Sequence, residues 1–209
     1  MEFLLGERTA AERLARRLFR RPLEPCEYAG LAGAPDDARV EIGALRGMLY
    51  IEMGAPAAGY RAHYYVRRAG RDIVLINDGF HIYARELRGR GLGLHVFHRQ
   101  MQNAARLGIR RIETVAGRRR GENGYYTWPR FGFEAALPAD IRRVLPPELE
   151  NERTVLGLME CERGRRWWRE YGETIRVAFD LDCGSRSQKA LSRYVRTKEK
   201  IRRWPKNKS

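Results

Sequence analysis

Three glycines at alternate positions, in the stretch Arg88-Gly-Arg-Gly-Leu-Gly93, constrain this chain more than any other feature of its sequence. Glycine permits tight backbone turns and has no Cβ to obstruct a ligand, so successive N–H groups can point at one anion. The stretch stands between a β-like run, residues 80–86, and an amphipathic pattern. The sequence therefore predicts a strand, a turn that binds a phosphate, and a helix.

The helix is predicted from apolar residues at three- and four-residue spacing, namely Leu94, Phe97, Met101, Ala104 and Ala105. Its first N–H groups and the positive end of its dipole would face the turn. Gly108 provides a stop signal, and residues 111–116 then alternate like a strand. Any glycine-rich connection between a strand and a helix could look like this, but these flanks favour the anion-binding interpretation.

Two other glycine turns do not fit the spacing. A Rossmann turn needs G-x-G-x-x-G and a later acidic residue, and a P-loop needs Gly-Lys followed by Ser or Thr. The spacing here is R-x-x-G-x-G, from Arg88, Gly91 and Gly93, and it resembles motif A of the GNAT superfamily of acetyl-CoA-dependent N-acyltransferases. Residues 124–133, which end in Gly-Phe, resemble a later segment of that family. The resemblance covers roughly residues 40–135 and is strongest over 80–108.

The resemblance implies a fold and a cofactor. The expected fold is α/β of the α+β type: a GNAT-like mixed, mostly antiparallel central sheet flanked by helices, with a small basic C-terminal extension. The expected co-substrate is acetyl-CoA, without a metal; amides of the turn would hold its pyrophosphate and the preceding strand would line its pantetheine arm. The expected cofactor-binding residues are Tyr83, Ala84, Arg85, Arg88, Gly89, Arg90, Gly91, Leu92, Gly93 and Asn123.

The resemblance also implies direct attack of an amine on the acetyl thioester, after which the sulfur leaves with a proton. The family's acid is a tyrosine four residues before the Gly-Phe glycine, but Trp128 stands there and cannot act as an acid. We expect Tyr126, or else Tyr125, to take that role. An aromatic packing pair is the alternative interpretation of these two tyrosines.

The reaction also needs a donor that stabilises the oxyanion and a base that accepts the amine proton. In the family a backbone N–H before the turn stabilises the oxyanion, which indicates residues 83–85. For the base we expect Glu86, with His81, Glu113 and a chain of water molecules as alternatives. Side chains alternate along a strand, so these residues cannot all line one pocket.

Net charge is the second informative property of the sequence. The 41 Lys and Arg residues against 26 Asp and Glu residues give a charge of +15, which should attract polyanions in a salt-sensitive way. Residues 183–209 contain ten of these bases and one acid. Within them Leu191, Tyr194, Val195, Lys198 and Ile201 are spaced for a basic amphipathic helix, ended by Trp204 and Pro205. This helix could pack on the domain, contact nucleic acid, or do both.

The rest of the chain suggests an ordered series of elements. A capping box at Thr9 and Glu12 would open a helix to about Arg20, and residues 29–37 read as a loop. Strands at 39–42, 48–53, 60–66 and 72–76 would form an antiparallel meander that leads into the 80–86 strand. Short helices are expected at 155–161 and 164–172, with a strand at 174–179. We predict three regions: a GNAT-like acyltransferase core at 1–137, a connector at 138–150, and a basic helical extension at 151–209.

Composition excludes some classes of protein. A hydrophobic content of 43% can bury a core, and no run approaches the roughly 18 apolar residues of a membrane helix, so we expect a cytoplasmic protein with no membrane partner. Cys26, Cys161 and Cys183 are too scattered for a disulfide framework. His95 and His98 could share a metal ion on one helix, but no third ligand can be named.

The sequence therefore predicts an acetyl-CoA-dependent N-acetyltransferase that acts on a primary amine. The acceptor stays open between aminoacyl-tRNA, a protein amine and a small amine, and the oligomeric state stays open too. One alternative is a catalytically silent GNAT-like nucleic-acid-binding protein, and another is an acyltransferase toxin acting on translation.

Overall fold

A computed structural model of the chain describes residues 2–4, 7–55, 59–119 and 121–199. They form an α+β fold with a mostly antiparallel open sheet, which confirms the predicted class. Contacts divide the chain into two compact units, one up to Ile112 and one from Glu113 onward. The boundaries predicted at residues 137 and 150 stay a prediction.

The first unit contains a meander of strands followed by the glycine turn. Its elements are β1 (Glu2–Phe3), α1 (Arg8–Phe19), α2 (Pro25–Ala32), β2 (Arg39–Leu45), β3 (Met48–Ala55), β4 (Tyr60–Ala69), β5 (Asp72–Ile82), a 3-10 helix (Arg85–Leu87) and α3 (Leu92–Arg106). Strand β6 (Arg111–Ala116) begins at its end. Strand β1 is parallel to β2, and β2 to β5 pair antiparallel in chain order, so the predicted meander is confirmed.

Alternation along β3 and β4 gives the sheet of this unit one apolar face and one polar face. The buried residues of these two strands are Leu49, Ile51, Met53, Tyr60, Ala62, Tyr64 and Val66. On the same face, buried Asn77 of β5 donates to the Gln100 side chain of α3 at 3.0 Å, and Gln100 donates to the Leu31 carbonyl of α2 at 2.9 Å. Helices α2 and α3 are therefore joined to the apolar face by a chain of buried hydrogen bonds as well as by packing.

Three local expectations for the first unit were wrong. Helix α1 begins at Arg8 with Glu7 as its N-cap, so Thr9 lies inside the first turn and no capping box forms there. Residues 29–32 belong to α2, because Pro25 opens this helix at its first position, where a missing N–H costs nothing. Residues 80–86 are not a separate strand: β5 ends at Ile82, and residues 85–87 form the 3-10 helix.

A β-bulge marks the second half of β5. His63 of β4 pairs with Gly79 and the next residue, Tyr64, pairs with Asn77, which leaves Asp78 as the extra residue. A bulge re-aims the side chains beyond it. As a result Gly79 and His81 share the polar face with His63, while Phe80, opposite Ala62, lies on the buried face.

The second unit is mainly helical. After the end of β6 it contains α4 (Gly124–Arg130), α5 (Ala139–Arg143), a 3-10 helix (Pro147–Leu149), α6 (Val155–Glu160), α7 (Glu162–Tyr171), β7 (Ile175–Asp180) and α8 (Arg186–Glu199). The short helices, the strand near 174–179 and the basic amphipathic helix were all expected. The predicted connector carries a helix of its own and buries Ile141 and Leu149 in the core of this unit.

Aromatic residues organise that core. Trp168 is fully buried, while Trp167 is partly buried and packs against the cluster. In α8, Leu191 is buried and the Tyr194 ring lies 5.3 Å from Phe131, so the apolar face of this helix packs within the unit. Ile201, Trp204 and Pro205 lie outside the described residues. Across the described ranges, the structure contains no helix with the length and apolar character needed to cross a bilayer.

Candidate functional site

The glycine turn, residues 88–93, follows the short 3-10 helix that comes after β5. Gly89 and Gly91 have positive φ angles of +70° and +96°, which side-chain-bearing residues rarely adopt, and a Cβ at either position would meet nothing within 4 Å. Glycine is therefore needed at these two positions for its backbone conformation, and the surface beside them is open. Gly93 differs, because a Cβ there would lie 3.2 Å from Cε1 of Phe80. It lets the first turn of α3 approach β5 closely.

The N-terminus of α3 presents unused backbone donors to this turn. Gly91 is the N-cap residue, no side chain caps it, and the first turn contains no acidic residue. His95 N–H makes the first helical bond, to the Gly91 carbonyl at 3.0 Å. The N–H groups of Leu92, Gly93 and Leu94 precede that bond and have no helical acceptor. With the helix dipole they form a concave site for an anion.

Three arginines surround the turn. Arg85, Arg88 and Arg90 are all exposed. Arg88 Nε donates to the Ile82 carbonyl at 3.0 Å, which ties the turn to the end of β5. The positive charge of these exposed side chains, close to the turn in sequence, adds to the positive potential at the N-terminus of α3.

The backbone hydrogen bonds of residues 83–85 indicate which N–H group is available to stabilise the oxyanion. Tyr83 and Ala84 N–H both donate to the Gly59 carbonyl, at 2.7 and 3.0 Å. Gly59 is required there, because a Cβ would lie 2.3 Å from the Ala84 Cβ. Among residues 83–85, Arg85 alone has an N–H without a backbone acceptor in the described chain. Glu86, the expected base, is exposed on the 3-10 helix and makes no ion pair with any described residue.

The predicted acids lie on α4 in the second unit, and their surroundings differ. Tyr125 donates its hydroxyl proton to the Arg169 carbonyl at 2.8 Å, and its own carbonyl accepts from Trp168 Nε1 at 2.8 Å. Tyr126 packs beside the guanidinium groups of Arg130 and Arg169, 5.4 and 5.7 Å from its ring centre. Its hydroxyl makes no hydrogen bond to the described residues. Tyr125 therefore has a structural role, and Tyr126 keeps a hydroxyl available for chemistry.

Two neighbours of these tyrosines complete the segment. Trp128 packs edge-on against Phe133 at 5.0 Å, which gives this residue a place in the core. Asn123 is exposed at the N-cap of α4, and its side chain makes no capping bond. The helix is only seven residues long and contains Pro129.

A polar cluster on β3 and β4 was missed by the sequence analysis. The Tyr50 hydroxyl lies 2.6 Å from Glu52 Oε2 and 2.7 Å from His63 Nδ1. Arg61 Nε donates to the other oxygen of Glu52 at 2.6 Å. Side chains of Glu52 and His63 are only 17% and 25% exposed, so these contacts form away from bulk water. The residues alternate along the polar side of both strands, and that spacing was the available signal.

Burial sets the protonation states in this cluster. It raises the pKa of Tyr50, with the hydrogen bond to Glu52 acting in the same direction, so the phenol keeps its proton. Burial also lowers the pKa of His63, an effect that Glu52 opposes, so the imidazole is neutral at pH 7. A neutral imidazole beside a carboxylate is suited to accept a proton.

Metal ligands, cysteines and similarity to known proteins remain to be described. Across the described residues, no group of three or more His, Cys, Asp or Glu side chains is arranged to hold a metal ion. Cys26, Cys161 and Cys183 are all exposed free thiols. A comparison with protein-family models found no match for this chain, and no curated protein matches it significantly.

Proposed function

We propose that this chain is an acetyl-CoA-dependent N-acyltransferase of the GNAT type that binds the pyrophosphate of the cofactor at the glycine turn. The observation that carries the proposal is the open turn at Gly89 and Gly91, which leads into the uncapped N-terminus of α3 among three arginines. A diphosphate supplies the acceptor oxygens that these N–H groups lack.

The order of elements supports the same proposal. An antiparallel meander leads through β5 into the turn, then into α3 and β6, which is the order that the motif resemblance implies. The R-x-x-G-x-G spacing of Arg88, Gly91 and Gly93 runs through the turn into the first turn of α3. Sequence motif and backbone geometry thus support the cofactor site independently.

The proposed reaction is direct transfer. The neutral amine nitrogen attacks the thioester carbonyl carbon, and the Arg85 N–H stabilises the resulting oxyanion. The C–S bond then breaks, its electron pair stays on sulfur, and the sulfur takes up a proton to give the free thiol. The acceptor class, whether aminoacyl-tRNA, a protein amine or a small amine, is set by surfaces outside the glycine turn.

Calorimetry with acetyl-CoA tests the cofactor site. Gly91→Asp adds a carboxylate at a backbone position with positive φ, and we expect it to reduce acetyl-CoA affinity by about a hundredfold or more, through charge repulsion and a distorted turn. Gly70→Asp is the matched control, because Gly70 also has a positive φ of +63° and open surroundings, at the other end of β5. Equal affinity of the Gly91 variant and the wild type would reject the proposal.

Net charge favours a second candidate function, a catalytically silent protein that binds nucleic acid. The excess of +15 is larger than cofactor binding requires, and the family's tyrosine acid is replaced by Trp128. Thiol release from acetyl-CoA, measured with a panel of primary amines and with total RNA, separates the two functions. Steady turnover excludes the silent protein, whereas tight, salt-sensitive RNA binding without turnover supports it.

A further inference from the structure

Helix α1 carries a stripe of arginines that ends at its C-cap. The spacing i, i+3 and i+4 places the first three on one side of the helix, the C-cap residue follows them, and all four are exposed: Arg13, Arg16, Arg17 and Arg20. None of the four makes an ion pair or a side-chain hydrogen bond with a described residue. Like charges at this spacing repel each other and destabilise a helix. The stripe therefore does not serve the stability of α1.

The hairpin between β4 and β5 brings further arginines to the end of α1. Arg68 donates from Nη2 to the Leu18 carbonyl at 3.2 Å and from Nη1 to the Arg71 carbonyl at 3.3 Å, which holds the hairpin against the last turn of the helix. At the start of β5, the Ile73 carbonyl accepts from Arg110 N–H at 2.9 Å. The exposed arginines gathered at this end of the first unit are here called the arginine face: Arg13, Arg16, Arg17, Arg20, Arg71 and Arg110.

Acidic residues hardly offset the charge of the arginine face. The three segments that form it, residues 13–21, 67–73 and 106–111, contain eleven arginines, no lysine and a single acid, Asp72. Asp72 lies 3.5 Å from the Arg111 guanidinium, and Glu27 of α2 pairs with Arg21. A surplus of this size at one end of a unit produces a positive potential that attracts a polyanion.

The arginine face is far from the glycine turn. Helix α3 begins at the turn, and its 15 residues span about 22 Å before the chain reaches Arg110. Strand β5 begins beside the hairpin that contains Arg71 and ends at Ile82, and its 11 residues span about 30 Å. A pyrophosphate bound at the turn therefore leaves the charge of the arginine face without a counterion.

We propose that the arginine face is a docking surface for the phosphate backbone of double-stranded RNA. A guanidinium group can form two parallel hydrogen bonds with one phosphate, which lysine cannot do. The major groove of an RNA helix is deep and narrow, so two rows of phosphates lie close together along it. Arginines presented side by side from a helix, a hairpin and a loop suit such paired rows. The proposal requires no acyl transfer and is compatible with either function proposed above.

Two other polyanions fit this surface less well. A single strand binds mainly by stacking its bases on aromatic rings, and the three segments contain one aromatic residue, the half-buried Phe19. An anionic membrane surface is bound with apolar side chains inserted between the lipids. The large hydrophobic side chains that are exposed in the described part of the chain all lie outside the three segments.

Fluorescence anisotropy with the full chain and a labelled RNA duplex of about 20 base pairs tests the docking surface. The variant combines Arg13→Gln, Arg16→Gln and Arg17→Gln, because glutamine preserves the helix propensity and removes the charge. We expect RNA affinity to fall roughly ten- to a hundredfold at about 0.1 M salt, and the slope of log K against log salt to become shallower by about two to three. Because repulsion within α1 is relieved, the variant should unfold at the same temperature as the wild type or slightly higher.

Two further variants remove the same net charge elsewhere. The first, in the second unit, should keep wild-type affinity and slope: Arg142→Gln, Arg143→Gln and Arg176→Gln. The second neutralises bases of α8: Lys189→Gln, Arg193→Gln and Arg196→Gln. Equal losses in all three variants would show that only net charge matters, and a larger loss in the α8 variant would assign RNA to that helix. Either result would overturn the proposal.

Competing ligands and the cofactor complete the test. Equal or tighter binding of the single strand, of a DNA duplex of the same sequence, or of phosphatidylserine vesicles would overturn the assignment to double-stranded RNA. Acetyl-CoA affinity of the α1 variant should equal that of the wild type, and a loss would contradict the separation of the two sites. A wild-type protein that binds RNA through the arginine face but does not bind acetyl-CoA would overturn the proposed function and leave the docking surface standing.

Discussion

Helices α2 and α3 belong to the same unit and contact each other, but their N-termini are built in opposite ways. At α2, Glu24 is the N-cap, Pro25 occupies the first position, and Glu27 occupies the third. The two glutamates form a capping box, in which Glu27 Oε2 accepts from Glu24 N–H at 2.9 Å. At α3 the corresponding positions are Gly91, Leu92, Gly93 and Leu94, and no side chain accepts from the backbone.

The two helix starts differ in whether the chain itself supplies acceptors for the first backbone N–H groups. Exposed N–H groups at a helix start need acceptors, and α2 obtains them from its own carboxylates. Helices α6 and α7 of the second unit do the same with Thr154 Oγ1 and Cys161 Sγ. At the N-terminus of α3 a glycine occupies the N-cap position, the first turn contains no acidic side chain, and arginines precede it. Its backbone N–H donors are therefore available to an anion.

The largest effect is expected from giving the N-terminus of α3 a capping carboxylate of its own, like that of Glu27 in α2. Leu94→Glu places a carboxylate at the position that Glu27 has in α2, within reach of the Gly91 N–H. It should compete with the pyrophosphate for the same donors, and we expect acetyl-CoA affinity to fall by roughly ten- to a hundredfold in calorimetry.

Leu94→Gln is the matched control for that experiment. It has nearly the same shape and causes the same loss of Leu94 packing, but it lacks the charge. The affinity of this variant should stay close to that of the wild type, and the difference between the two variants should shrink as salt is added. Equal affinities for Glu and Gln would mean that the turn does not bind the anionic part of the cofactor.

Local sequence signals were sufficient for the helix that follows the turn. The start and the glycine stop of α3 lie within residues 91–108, and the structure confirms both. The predicted apolar stripe was only partly right: Phe97 and Ala104 are buried, but Ala105 is exposed. The buried face of the helix consists of Leu92, Val96, Phe97, Gln100 and Ala104. Helix α2 escaped prediction because its glycine- and alanine-rich sequence resembles a loop. In that case the capping box of Glu24 and Glu27 was a signal present in the sequence.

The polar cluster could not be predicted in the same way. Tyr50, Glu52 and His63 stand on two strands, and their contact depends on a register that pairs Glu52 with His63. The pairing of His63 with Gly79 depends further on the bulge at Asp78, which shifts the pairing of β5 by one residue. Pairing register across strands is a tertiary property, because a slip of one residue would turn the same side chains to the other face.

Removing a side-chain cap from α6 or α7 should lower the free energy of unfolding and leave acetyl-CoA binding unchanged. Thr154 Oγ1 accepts from Gly157 N–H at 3.1 Å and from Arg186 at 3.2 Å, so Thr154→Ala should lower the free energy of unfolding by about 1 kcal/mol. Cys161→Ala should cost only a few tenths of a kcal/mol, since sulfur is a weak acceptor. Urea denaturation measures both; a larger loss for Cys161→Ala would contradict this ranking of caps.

A small effect that depends on pH is expected from removing the charge of Glu27 in the capping box of α2. The hydrogen bond from Arg21, whose Nη1 lies 2.7 Å from Glu27 Oε2, lowers the pKa of Glu27 to about 2 from an ordinary value of 4.5. A carboxyl whose pKa is lower in the folded state stabilises the fold above about pH 4.5, and this stabilisation is lost as pH falls toward 2. Arg21 is half-exposed, so solvent screens the pair and Glu27→Gln should cost only about 0.5 kcal/mol at pH 7.

Urea titrations at several pH values measure the free energy of unfolding that Glu27→Gln loses relative to the wild type. This loss should be constant from pH 7 to 5 and should shrink at lower pH. A loss that persists unchanged at pH 2.5 would show that the charge of Glu27 does not stabilise the start of α2.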